Sequence, residues 1–191
     1  MLSILIIAAG SSSRLGKPKQ LVIFQEKTLI ERTVETALQV SENVAVVLGA
    51  NDELISPFLQ KYPIKILHNS IWVEGMASSI RLGVESLGNQ ADKVLLLLCD
   101  QPFVSVDLLQ EMIQIQHKIQ SPIVACEYAG ALGVPMLFDR TIFPELLALK
   151  GDKGARAFLH KYPNQISIVS FEKGIFDVDT EEDLLQLIGN N

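Results

Sequence analysis

Apolar residues run through this chain in two alternating rhythms. Short stretches, apolar at nearly every position, recur at residues 3–8, 45–48, 64–67, 94–99, 123–126, 135–138 and 166–169. Runs this short and this uniform read as strands covered on both faces. Between them the period lengthens to that of an amphipathic helix. At 29–38, Leu29, Ile30, Thr33, Val34, Ala37 and Leu38 share one face, with Thr28 as N-cap and Glu31 completing a capping box. Further helices are predicted at 78–87, at 106–115 behind Ser105, at 142–149, at 155–161, and at 180–188 behind Thr180. The window 52–61 carries a helical pattern that Pro57 interrupts.

This order of elements predicts a parallel sheet with helices on both faces. The stretch from 122 to 178 is less regular and is expected to hold an antiparallel or edge strand and an excursion facing the substrate.

Composition narrows the picture. The chain has 191 residues, 48% of them apolar and 20% charged, and a single domain over 1–191 is expected. A net charge of −6 argues against a nucleic-acid partner but leaves room for a local cationic pocket. The most apolar run, 95–98, is bracketed by Asp92, Lys93 and Asp100 and is too short to span a bilayer, so no membrane partner is expected. Cys99 and Cys126 sit inside apolar runs without CxxC spacing. They point to a reducing compartment and, with no cationic leader, to a cytoplasmic protein.

In open α/β sheets, ligands bind beyond the carboxyl ends of the strands. The residues that follow each strand are therefore the informative ones. After the first come Ala8, Ala9, Gly10, Ser11, Ser12 and Ser13, then Arg14, Lys17 and Lys19. Small residues let backbone N–H groups approach an anion, and the cations supply matching charge, so this loop is a candidate polyphosphate cradle. After the third come His68 and Asn69, with Gly75, Ser78 and Ser79 beyond. After the fourth comes Asp100-Gln101-Pro102, and late in the chain Asp177-Val178-Asp179-Thr180. All four stretches are expected at one rim.

Familiar phosphate loops do not fit. Five residues separate Gly10 from Gly16, where a Walker loop has four, and Pro18 follows Lys17. GxGxxG is absent from this loop, as is GxSxG anywhere. No His/Cys cluster has zinc spacing. Asp100 ends an otherwise apolar strand, and burying its carboxylate is costly unless something pairs with it. It reads either as a turn-initiating aspartate or as a magnesium ligand. Asp179 reads either as a solvated acidic turn or as the second carboxylate of the same site.

With these pieces in place, the chain resembles the MobA-like nucleotidyltransferases, most of all their molybdenum-cofactor cytidylyltransferase (MocA-like) branch. The family's LAAGxSxRMGxxK appears as the run from Ile7 to Lys19. GMxSS appears at Gly75-Met76-Ala77-Ser78-Ser79, CDQP at Cys99 to Pro102, GDKGAR at Gly151 to Arg156, and DVDTEED at Asp177 to Asp183. The resemblance implies a three-layer α/β/α Rossmann-like fold and transfer of a nucleotidyl group from an NTP, with pyrophosphate leaving. It implies that Ala8 to Ser13 wrap the triphosphate while Arg14 and Lys19 neutralise it. Asn69, Gly75 and Ser79 would lie by the nucleoside, and Asp100 and Asp179 would hold Mg2+, or Mn2+. Arg14, Lys19 and Asp100 would be the catalytic groups.

The Ala8-Ala9-Gly10 sequence, where guanylyl-transferring relatives tend to show AGG, favours CTP by resemblance. The favoured acceptor is a molybdopterin-type cofactor, with a client molybdoenzyme as possible recipient. Val134 stands where relatives carry a polar residue between glycine and proline. Another phosphorylated acceptor, such as a sugar or polyol phosphate, is therefore an alternative. So is a non-catalytic role in handling the cofactor.

Overall fold

The structure is a computed structural model that describes residues 1–88, 90–152, 154, 161–162 and 164–189. Seven strands form the main sheet: β1 (Leu2–Ala8), β4 (Val44–Leu48), β5 (Lys65–His68), β6 (Lys93–Leu98), β7 (Ile123–Tyr128), β8 (Ala131–Asp139) and β9 (Ile166–Ser170). Their order is β5-β4-β1-β6-β8-β7-β9. Of these strands only β8 runs against its neighbours, between β6 and β7. The irregular region anticipated in the sequence thus holds both an antiparallel strand, in the sheet's interior, and a parallel strand, β9, at its edge.

Period-two alternation along β1 divides the core. Ile4, Ile6 and Ala8 face one layer, with Ile30 and Val34 of α1 (Leu29–Leu38), Ile55 of α2 (Asp52–Leu59) and Leu109 of α4 (Val106–Ile119). Leu5 and Ile7 face the other, with Ile80 and Val84 of α3 (Met76–Leu87) and Leu146 of α5 (Phe143–Leu147). The result is a three-layer α/β/α sandwich with a mostly parallel sheet.

Local chemistry explains the helix ends. Thr28 and Glu31 form the expected capping box on α1. At the last helix, α6 (Glu181–Gly189), Thr180 accepts from the Asp183 N–H while the Asp183 carboxylate accepts from the Thr180 N–H. Pro57 is accommodated within α2, which ends two residues later. The predicted helix at 155–161 falls largely outside the described residues. A short hairpin, β2 (Ile23–Phe24) with β3 (Lys27–Thr28), was not anticipated, because two-residue strands carry no readable period. Among the described residues no helix is long and apolar enough to cross a membrane.

Candidate active site

β6 ends at Leu98, and Asp100 follows two residues on, buried. Two distant stretches of chain are held against it. The N–H of Val178 donates to the carbonyl of Asp100 at 3.0 Å. Leu15, Val178 and Leu187 pack with Val22, Phe24 and Leu29 in a small apolar cluster of their own. This cluster brings the neighbours of Leu15 and Val178, namely Arg14 and Asp179, to the end of β6. There Lys19 Nζ donates to Asp100 Oδ2 at 2.6 Å and to Asp179 Oδ1 at 2.7 Å. Arg14 Nη2 donates to Asp179 Oδ2 at 2.6 Å. Four residues singled out in the sequence therefore form one ion-pair network.

The charges sustain one another. Burial alone would lower the Lys19 ammonium, but the adjacent carboxylates, Asp100 first, outweigh it and carry its pKa upward. Burial would likewise raise Asp179, yet its bond to Lys19 and the Arg14 charge hold its carboxyl below the ordinary range. Asp177 is left on the other side of this balance: burial and then the charges of Asp100 and Asp179 push it up. The Cys99 thiol, buried beside Asp100, is pushed up to about 12, so it stays protonated and inert.

The same arrangement fits a divalent cation. Asp100 Oδ1 is buried without a hydrogen-bond partner, and the position between the two carboxylates already attracts a cation, the Lys19 ammonium that a metal ion would have to displace. Among the described residues no three His, Cys or carboxylate groups gather as ligands. Two carboxylates, with the remaining positions left to substrate oxygens and water, suit magnesium or manganese rather than zinc.

The start of the same loop edges a cavity of about 300 Å³. Ala9, Gly10 and Ser11 form one edge and Gly75 and Ser79 another, with Trp72 and Asp152 among the other lining residues. Gly75 caps α3 with φ +99, and a Cβ there would collide with the Asp152 carboxylate. A Cβ at Gly10 would meet nothing within 4 Å, so the loop backbone is uncovered at that point.

Other predicted residues sit behind this surface. Ala8 is buried in β1. Ser12 turns inward, its hydroxyl accepting from the Lys19 N–H at 3.0 Å. Ser13 is exposed and does not line the cavity. Asn69 is buried and donates to the hydroxyls of Ser78 and Ser79, bracing the wall from behind. Sequence reasoning missed Trp72, which lacked a charged signal, and Gln20, whose burial nothing in the local pattern announces.

Several known proteins resemble this chain over nearly its whole length. Nicotine blue oxidoreductase of Paenarthrobacter nicotinovorans is 31% identical, covering 96% of this chain and 94% of that protein. Molybdenum cofactor cytidylyltransferase of Escherichia coli K12 is 22% identical, covering 95% and 92%. The crystal structure of Rv0371c from Mycobacterium tuberculosis H37Rv superposes with a TM-score of 0.86 at 29% identity, covering 98% of this chain and 97% of that one. A structure of Rv0371C in complex with manganese gives 0.80 at 25% identity, covering 100% and 99%. Residues 4–166 match the MobA-like NTP transferase domain, a span that takes in the glycine-serine loop, the cavity wall and Asp100. The chain therefore belongs to the MobA-like NTP transferase family and is a nucleotidyltransferase.

Proposed function

We propose that this nucleotidyltransferase transfers CMP from CTP to the phosphate of a molybdopterin-type cofactor, releasing pyrophosphate. The observation that carries the reading is the Lys19 bridge between Asp100 and Asp179, beside a loop whose open backbone also edges a cavity. In this reading the cavity takes the nucleoside. The N–H groups around Gly10, with Arg14 and Lys19, grip the triphosphate. The acceptor phosphate attacks the α-phosphorus in line; the new P–O bond forms as the bond to pyrophosphate breaks. That acceptor is already ionised near neutral pH, so no general base is required. Rate enhancement comes from alignment and from charge placed against the phosphoryl oxygens. Asp100 and Asp179 would hold Mg2+, or Mn2+, which supplies Lewis-acid polarisation of those oxygens. The preference for CTP and for a molybdopterin acceptor draws support from Ala8-Ala9-Gly10 and from the cytidylyltransferase relative.

A matrix of four NTPs against molybdopterin cofactor, a sugar phosphate and a polyol phosphate, scored by pyrophosphate release, tests this. CTP with molybdopterin should give the fastest release. Faster release with a sugar or polyol phosphate would reassign the acceptor. Tight cofactor binding without pyrophosphate from any NTP would favour a handling role, in which delivery to a client molybdoenzyme becomes the function.

A second reading takes its support from the Paenarthrobacter relative, whose name describes an oxidoreductase. It is separated by incubating the protein with nicotine blue as electron acceptor and a reduced nicotinamide nucleotide as hydride donor, and following oxidation of the donor beside pyrophosphate release.

A further inference from the structure

Gln20 lies in the one-turn helix Lys19–Leu21 and is fully buried, unusual for a glutamine. We infer that Gln20 is a positioning residue that aims the N–H groups of the preceding loop at the phosphates of the nucleotide. This inference rests on the nucleotidyl-transfer reading above.

The Gln20 Nε2 group donates to the carbonyl of Ala8 at 2.8 Å and to that of Gly10 at 3.1 Å. Both amide hydrogens are thereby used. Its Oε1 accepts from the Ser12 hydroxyl at 3.4 Å. The carbonyl between the two, that of Ala9, accepts from the Ala50 N–H at 3.0 Å. Three successive loop carbonyls are thus taken by donors of the protein itself.

In a planar trans peptide the N–H points opposite to the C=O. Tying down the carbonyls of Ala8 and Gly10 therefore turns the N–H groups of Ala9 and Ser11 away from Gln20. Ala9, Gly10 and Ser11 all line the cavity, and the space beside Gly10 is open. The side chain that fixes these amides follows directly on Lys19, whose ammonium bridges the carboxylates. One short turn thus sets both the direction of the loop's donors and the place of its cation.

The test compares wild type with Gln20→Met, which keeps length and loses both donors, and with Gln20→Glu. Binding of inorganic tripolyphosphate and of CTP is measured by calorimetry in the presence of Mg2+, with folding checked by circular dichroism. Gln20→Met should weaken both ligands at least tenfold and to the same extent, because the loss is at the phosphates. Gln20→Glu adds a readout that a purely structural role would not move. The carboxylate introduced by this change faces two carbonyls and donates nothing; once protonated, its O–H can donate to one of them. The tripolyphosphate affinity of the Gln20→Glu variant, relative to wild type at the same pH, should therefore recover several-fold as pH falls from 8 to 5.5. Folded variants that bind tripolyphosphate within twofold of wild type at every pH would overturn the assignment. A wild-type protein that binds neither tripolyphosphate nor CTP would instead overturn the nucleotide reading, and the assignment with it.

Discussion

The carboxylates of Asp100 and Asp179 meet across a single nitrogen, Lys19 Nζ, at 2.6 and 2.7 Å. Neither oxygen can be further from the other than those two distances laid end to end. One ammonium is thus shared by both carboxylates, and this charge placement has measurable consequences.

Replacing Asp100 with asparagine keeps its shape and removes its charge. Lys19 still pairs with Asp179, so the fold should survive. Pyrophosphate release should fall by about 10²–10³-fold, the range for losing a group that stabilises transition-state charge. Turnover within a few-fold of wild type would rule out Asp100 as a working ligand.

The Lys19 ammonium stands where a divalent cation would be most favoured. Lys19→Met should therefore let the protein bind Mn2+ more tightly in the absence of nucleotide, by about tenfold or more, a gain of about 1.4 kcal/mol. Pyrophosphate release should drop in the same variant, because the triphosphate loses a cation. Titration of free Mn2+ by electron paramagnetic resonance reads the first effect. Equal affinities would mean that the ammonium and the metal do not compete.

Gly75→Ala should damage the cavity before it damages the core. The position has φ +99, and the added Cβ would press on Asp152 and on the backbone of Gly151 at 2.7 Å. We expect a loss of about 1–3 kcal/mol in urea unfolding and a rise in KM for the nucleotide that exceeds any fall in kcat. An unchanged KM would place the nucleoside elsewhere.

Glu31 links stability to pH. Burial would raise its carboxyl, but hydrogen bonds from Lys61 and Thr28 outweigh burial and hold it below the ordinary range. A depressed carboxyl contributes stability above its unfolded value, near 4.3, and loses it as pH falls through the lower folded value. Glu31→Gln should cost about 1–2 kcal/mol at pH 7, the exposed Lys61 keeping the figure modest. The difference between the two proteins should shrink as pH falls below the unfolded value of about 4.3 and through the lower folded one. Urea melts across that range would show it; a gap that stays constant with pH would remove the charge from the explanation.

Much of this molecule is legible in its sequence because the signals are local. Leu29 to Leu38 carries both its period and its capping box within one stretch, and the structure reproduces its bounds. The loop after β1 stands out through residue type alone, and the structure leaves its backbone uncovered at Gly10. The β2–β3 hairpin escaped because two residues cannot establish a period. Gln20 escaped for another reason: a glutamine between Lys19 and Leu21 reads as surface unless one knows that Ala8 and Gly10 fold back over it. Asn69 was expected beside the nucleoside; what the structure adds is its hydrogen bonds to Ser78 and Ser79, a contact between elements that no local pattern encodes.

What the sequence determined by itself was the alternation of strands and helices, the glycine- and serine-rich loop with cations behind the first strand, and the aspartates at element ends. Backbone geometry and hydrophobic period act over a few residues, so a linear reading reaches them. Tertiary structure alone decided that the antiparallel strand β8 sits inside the sheet between β6 and β7, that Leu15 packs with Val178, and that Lys19 lies between Asp100 and Asp179. These depend on which buried surfaces meet, a choice made by the packing of the whole chain.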